Sequence, residues 1–248
     1  MFRIRIQNKK KCIWYCSAVV SFLLFLLLLG WTNHLANTQD AQQMAGRWSE
    51  KKDVAQISCF FSSKAEVTED TIQSFEYSLK NMLQEASITE TSENPSARLW
   101  VDAYSADGKI TLVNGKNTLD ANAIGIGGDF FMFHPLKLIT GSYFSGNDLM
   151  QDYCIIDQDA AWQLFGSNDV VGMTVYIGNV PHIVTGVVQR PDSRMDKAAG
   201  LNSTVVYVSY ETLSAYGTNN GINHYEIVMP NPVDEFAYSK VKEGIGID

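Results

Sequence analysis

Apolar residues follow three different rhythms along this chain. The first is unbroken: Cys12–Trp31 reads CIWYCSAVVSFLLFLLLLGW, twenty residues without a charge. A helix of that length spans the hydrocarbon core of a bilayer. Trp14, Tyr15 and Trp31 stand near its two ends, where amphipathic rings favour the interface. The second rhythm is alternation. Val54–Ser62 turns Ile57, Cys59 and Phe61 to one side, and Arg98–Ser105 does the same with Leu99, Val101 and Ala103, so both predict strands. The third is helical. From a capping Thr68 to Ala86, the residues Ile72, Phe75, Leu79, Met82, Leu83 and Ala86 make one stripe, and Glu76 and Lys80 are spaced for an ion pair on the exposed side. The start of the folded part therefore reads β-α-β.

The middle of the chain, Ala123–Val188, is a run of short elements separated by glycines. Asp129 is placed to cap a brief helical turn through Phe130, Phe131 and Phe133, which Pro135 ends. Leu136 and Leu138 alternate with Lys137 towards a turn at Gly141-Ser142. Asp157 is placed to cap a helix with Ala161, Leu164 and Phe165 on one face and Gly166 at its C-terminal end. Thr174–Ile177 and His182–Val188 flank Gly178-Asn179, the pattern of a tight hairpin. Asp107-Gly108 and Asn114-Gly115 read as hairpin turns as well. Further on, Thr204–Val208 and Asn223–Met229 are strands. Between them Ser209 caps a short helix ended by Gly217, and Asn231-Pro232 precedes a helix to Glu243 with Val233, Phe236, Ala237 and Val241 buried.

The order of the middle elements is more specific than their types. Gly-x-Gly-x-Asp-Phe-Phe, Leu-Lys-Leu-Ile-x-Gly, a strand, Ala-x-x-Leu-Phe-Gly, Val-Gly-x-x-Val and a hairpin closing on Val-x-Gly-Val-Val follow one another behind a membrane anchor. This succession resembles the MacB-type extracytoplasmic core domain of FtsX-like ABC transporter permeases. The resemblance covers the anchor and most of residues 50–243. His134-Pro135 departs from the family's usual helix formers, so a shorter helix is expected there. The resemblance implies a core subdomain interrupted by a β-rich insertion, a domain that moves in response to a separate ABC-type ATPase subunit, and a homodimer or a permease partner. The runner-up is a single-pass anchored binding or sensor module without transport.

The expected fold class is α+β: an N-terminal transmembrane helix, then a ferredoxin-like split β-α-β subdomain interrupted by a β-rich insertion. The parts are a basic cytoplasmic tail at 1–11, the transmembrane helix at 12–31, a stalk at 32–52, a split core at 53–105 and 222–248, and the inserted subdomain at 106–221. The last strand of a ferredoxin-like sheet has no residues left to form it after Gly244, which leaves Val54–Ser62 as an open edge. An incomplete permease is the preferred explanation, and an edge closed by a partner or by the stalk is the other.

Charge changes this picture in one respect. Five of the 19 basic residues (Arg3, Arg5, Lys9, Lys10 and Lys11) lie before the apolar run, which leaves 14 against 27 acidic ones after it, a net −13. Positive charge beside the anchor holds the N-terminus in the cytoplasm and sends the main domain outside the cell membrane. The apolar run is longer than a usual signal core, and no small-x-small site follows it directly, so a retained anchor in membrane lipid is expected rather than a cleaved signal. The acidic remainder argues against nucleic acid as a partner.

Candidate chemistry is sparse. No G-x-x-x-x-G-K-[ST] occurs, so the chain does not carry the ATPase motif itself. Gly125-Ile-Gly-Gly-Asp-Phe lacks the third glycine of a dinucleotide fingerprint and reads as turn glycines beside buried phenylalanines. His34, His134, His182 and His224 are scattered and make no i,i+4 pair on a predicted helix. Ser142 and Ser145 lie outside any G-x-S-x-G, and Asp157 and Asp159 are explained by helix capping. Phe130, Phe131, Phe133, Tyr143 and Phe144 could line a groove, but aromatic packing is the simpler reading. Cys12 and Cys16 fall in the anchor, and Cys59 and Cys154 read as buried free thiols on separate strands. The expectation is therefore a chain that is not an enzyme, with no catalytic, cofactor-binding or metal-binding residues and no cofactor.

Overall fold

The computed structural model describes residues 2–49, 53–89, 98–190, 194–198 and 203–246. The chain divides into two compact units, Met1–Gln43 and Met44–Asp248. The first is dominated by α1 (Phe2–Asn37), followed by a 3-10 turn at Asp40–Gln42. Within α1, Ile13–Leu35 has a mean hydropathy of 2.3 over 23 residues, and no part of it is buried in protein. A helix with apolar side chains all round is suited to lipid.

The second unit opens with α2 (Met44–Trp48), a stretch read from the sequence as stalk; its Met44 is buried. Then come β1 (Val54–Phe60), α3 (Glu69–Glu85), β2 (Val101–Asn114) and β3 (Asn117–Gly128). The expected stripe on α3 buries Ile72, Phe75, Leu79 and Leu83, while Met82 is half-buried and Ala86 exposed. Thr68 caps α3 in a reciprocal box with Thr71. Asn114-Gly115 does turn the β2–β3 hairpin, but Asp107-Gly108 is no turn: β2 runs straight through it, paired in unbroken register with β3. Gly108 serves the close approach of Leu213 and the Thr218 carbonyl rather than a bend.

The middle and the end follow as α4 (Phe130–Phe133), β4 (Leu138–Gly141), β5 (Tyr153–Asp157), α5 (Gln158–Phe165), β6 (Thr174–Ile177), β7 (Val180–Val188), α6 (Arg194–Ala198), β8 (Val205–Ser209), α7 (Tyr210–Tyr216), β9 (Thr218–Asn219), β10 (His224–Pro230) and α8 (Phe236–Ile245). Asp157 accepts from the Ala160 amide at 2.7 Å, and Gly166 closes α5 in the left-handed region at φ 72°. Phe165, expected on the buried face, is half-buried, because Ala160 takes the inward position beside Ala161 and Leu164. Gly178 and Asn179 both have positive φ, which suits the tight β6–β7 turn. Asp129 does not cap α4 with its side chain; its carboxylate is drawn to Arg98 instead. The last helix also differs from expectation. It starts at Phe236, Val233 is exposed, and Gly244 lies inside the helix with Gly246 as the left-handed cap. A side chain at Gly244 would meet the Phe75 ring at 2.5 Å, so this glycine lets α8 lie close to α3 rather than ending the helix.

All strands belong to one mixed sheet, in the order β1-β10-β2-β3-β8-β5-β7-β4, with β6 bridging β7 and β2. That bridge closes β2, β3, β8, β5, β7 and β6 into a ring. Its core is built from small and branched side chains such as Ala106, Leu112, Ala123, Ile156, Val187 and Val206, with Leu164 of α5 and Leu213 of α7. Beyond the ring, β1, β10 and the first half of β2 form an antiparallel wing. Alternation gives the wing two buried faces. Tyr225, Ile227 and Met229 pack under α3 and α8, while Val101, Ala103 and Val228 pack with Met44 of α2 and the phenylalanines of α4. The second face holds the candidate site.

Candidate functional site

Along β10, His224, Glu226 and Val228 point to the same face because side chains alternate. Opposite them in register stand Phe60, Ser58 and Gln56 of β1 on one side, and Ser105, Ala103 and Val101 of β2 on the other. The chain leaving α4 brings His134 onto this face, held there by the buried α4 phenylalanines and by Pro135, which stops the helix.

Three donors meet at this point. His134 Nε2 lies 2.5 Å from Glu226 Oε2, His224 Nε2 lies 3.8 Å from Glu226 Oε1, and all three groups fall within 4.8 Å of one another. Glu226 is almost fully buried, with 5% of its side chain exposed. Its Oε1 accepts from Ser58 Oγ at 2.9 Å and from Gln56 Nε2 at 3.4 Å. Both rings are held by aromatic contacts: Phe60 stacks on His224 with centroids 4.5 Å apart and 14° between planes, and Phe130 lies 4.7 Å from His134. Of the two, His224 Nε2 is buried without a hydrogen bond, whereas His134 Nε2 has the Glu226 carboxylate as its close ion-pair partner. Burial holds the His224 imidazole below its ordinary value, partly opposed by Glu226. Burial pushes the Glu226 carboxyl up, but His134, His224 and the Ser58 hydroxyl together outweigh it and the net shift is downward.

The two histidines border a cavity of about 320 Å³. It shares Asp107, Ile124, Leu136 and Tyr207 with a neighbouring cleft of about 730 Å³ that also reaches Lys137, Asp157 and Arg190. At the bottom of the cleft Asp157 accepts from the Val205 amide at 3.0 Å and pairs with Arg190, which also reaches Asp159 at 2.6 Å. The two aspartates thus neutralise an arginine as well as starting α5. On the other face of the wing, Asp102 meets Glu76 in a polar cavity of about 310 Å³. Burial, then the Glu76 carboxylate, hold the Asp102 carboxyl well above the usual range, with Tyr225 Oη donating to it at 3.0 Å. Glu76, expected to face Lys80, is turned towards this pair.

Other residues singled out from sequence take the following places in the fold. Gly125 and Gly127 lie within β3 rather than in turns: a side chain at Gly125 would strike Leu213 and one at Gly127 would strike the Tyr104 ring. Phe130, Phe131, Phe133 and Phe144 are buried in the second core, where Tyr143 stacks on Phe131. Ser145 Oγ accepts from the Asn147 amide within its own loop, and His182 is bonded to the Val180 carbonyl and Thr212 Oγ1. Cys59 and Cys154 are free thiols, pushed by burial up to about 11 and about 12. Helical i,i+4 spacing does not report the meeting of His134 with His224 and Glu226, because none of the three lies on a helix. His-x-Glu on a strand was the available signal, as such residues share a face.

Two comparisons with curated relatives agree. Macrolide export ATP-binding/permease protein MacB of Chromobacterium violaceum is 32% identical over 99 residues, 39% of this chain and 15% of that protein. The MacB of Shewanella sp. (strain W3-18-1) is 31% identical over 160 residues, 60% of this chain and 24% of that protein. The chain therefore spans less than a quarter of the curated relatives it matches. The crystal structure of the extracellular domain of the noncanonic ABC-type transporter YknZ from Gram-positive bacteria superposes with a TM-score of 0.47 at 20% identity, covering 76% of this chain and 90% of that one. The model of the MacB-like periplasmic core domain matches residues 21–244, from within the apolar helix almost to the end of α8. By that match this chain belongs to the family of MacB-like periplasmic core domains.

Proposed function

We propose that the chain is the membrane-anchored extracytoplasmic domain of an ABC transporter permease of the MacB/FtsX-like type, coupling a separate ATPase subunit to export or envelope signalling. The supporting observation is the extent of the family match, which runs from inside the apolar helix across the folded unit. The relatives are named ATP-binding/permease proteins, and residues 1–248 contain no phosphate-binding loop, so the nucleotide step is assigned to a part of the system outside these residues. The basic residues before the anchor favour a cytoplasmic N-terminus and an extracytoplasmic main domain. A homodimer or a second permease chain is the expected membrane partner, and the domain itself is read as non-catalytic.

The domain division expected from sequence belongs to the same proposal. The antiparallel order β1-β10-β2 with α3 and α8 on one face supports a ferredoxin-like split core. Register supports placing the border near 105, since Val101–Ser105 pairs with β10 whereas the β2 residues beyond pair with β6 and β9. The test is affinity capture of the full chain from native membranes under mild detergent. Recovery with an ATPase that carries a phosphate-binding loop is the expected result. Recovery without any such ATPase, at a stoichiometry that survives crosslinking, would replace this reading by an anchored binding or sensor module.

A further inference from the structure

We infer that His134, His224 and Glu226 form a binding site for a divalent transition metal of the zinc class. Two imidazole nitrogens and one carboxylate oxygen are a familiar donor set for such an ion, with bonds of about 2.0–2.2 Å. Tetrahedral geometry at those lengths separates donors by about 3.3 Å. The separations from Glu226, 2.5 Å to His134 and 3.8 Å to His224, lie on either side of that value. All three donor atoms lie within 4.8 Å of one another, so binding one ion requires the two rings to turn where they lie against Phe60 and Phe130.

A simple ion pair explains less. A single protonated histidine, His134, would satisfy Glu226, yet a second ring converges on the same carboxylate and His224 Nε2 is left without a hydrogen bond. A buried polar nitrogen without a partner is costly, and one held beside an existing ion pair needs an explanation. An ion shared by the three donors supplies it. The surroundings are those of a metal ligand set. Ser58 and Gln56 donate to Glu226 Oε1 and orient the carboxylate, as outer-shell partners do. Phe60 and Phe130 fix the ring planes. The cavity beside both histidines leaves a coordination position open to water or to another ligand, and Asn223 Oδ1, a further unpartnered buried oxygen, sits in its wall. Because His134 follows α4 while His224 and Glu226 lie on β10, a bound ion cross-links the α4 loop to the wing.

The experiment uses the full chain in detergent, stripped with a chelator, dialysed and titrated with Zn²⁺ against a chromophoric competitor. Co²⁺ substitution then reports the ligand type. The expected result is one Zn²⁺ per chain and Co²⁺ ligand-field bands without thiolate charge transfer. His224→Phe keeps a ring against Phe60 and removes the donor. It should weaken binding by more than the roughly 10–100-fold that losing an outer-shell partner costs. His34→Ala, in the first unit, should leave binding unchanged. The intact chain is decisive even if a substituted one misfolds: substoichiometric Zn²⁺ on the unaltered protein overturns the site. Binding that survives His224→Phe in a folded chain, or is lost with His34→Ala, overturns it equally.

Discussion

Asp102 shows how strongly one position depends on its surroundings. On the strand it is an ordinary acidic residue, but in the fold it faces Glu76 and the Tyr225 hydroxyl from within the wing. Its carboxyl is raised first by burial, then by the Glu76 charge, so the folded chain holds a proton that the unfolded chain releases. For an acid with a raised folded value, the stabilising effect is complete below the unfolded value of about 3.9. It is lost as pH rises through the folded value. Asp102→Asn keeps the shape and removes the titration. The wild-type unfolding midpoint should therefore fall relative to that of Asp102→Asn as pH is raised from about 4 to about 8. Parallel midpoints across that range would show that Asp102 carries no proton in the fold.

Elements meet in this protein where side chains have been removed as much as where they fit. Gly108 on β2 and Gly125 on β3 are near neighbours across the hairpin, and both abut Leu213 of α7. A side chain at Gly108 would lie 2.3 Å from the Thr218 carbonyl oxygen and 2.9 Å from Leu213. The obstacle at Thr218 is backbone, so β9 must move. Gly108→Ala should cost about 1–3 kcal/mol as overpacking does, or more if the β2–β9 pairing is lost. Chemical denaturation reads this directly, and an unchanged midpoint would mean that the strand yields without strain. A glycine read as a turn from its Asp-Gly context thus serves helix docking. The same distinction separates Gly244, which admits Phe75, from Gly246, which ends α8.

For the assembled chain, topology in the membrane is open to a direct test because its own thiols give little background. Cys59 and Cys154 are held mostly protonated, about 11 and about 12 against a usual value near 8.5, and Cys12 and Cys16 belong to α1. Lys116 is exposed at the tip of the β2–β3 hairpin. In the proposed orientation, Lys116→Cys reacts with a membrane-impermeant maleimide in intact cells. Labelling only after lysis would place the domain in the cytoplasm and reverse the topology.

Much of this architecture could be read from short windows of sequence. The anchor, the α3 stripe, the Asp157 and Ser209 caps and the two tight hairpins depend on residues within a few positions of one another, and local periodicity, capping and turn chemistry report such features. The succession of motifs also indicated the family. The rest depends on contacts between residues far apart in sequence. The β6 bridge that closes the ring, the role of Gly108 inside a strand, the late start of α8 and the Asp102–Glu76 pair follow from how the elements pack. His134 lies ninety positions before His224, and no spacing rule connects them. They meet because β10 inserts between β1 and β2 while α4 buries its phenylalanines over the same face. Hydrophobic burial positions these elements without regard to sequence separation, and the candidate metal site exists only as a result of that packing.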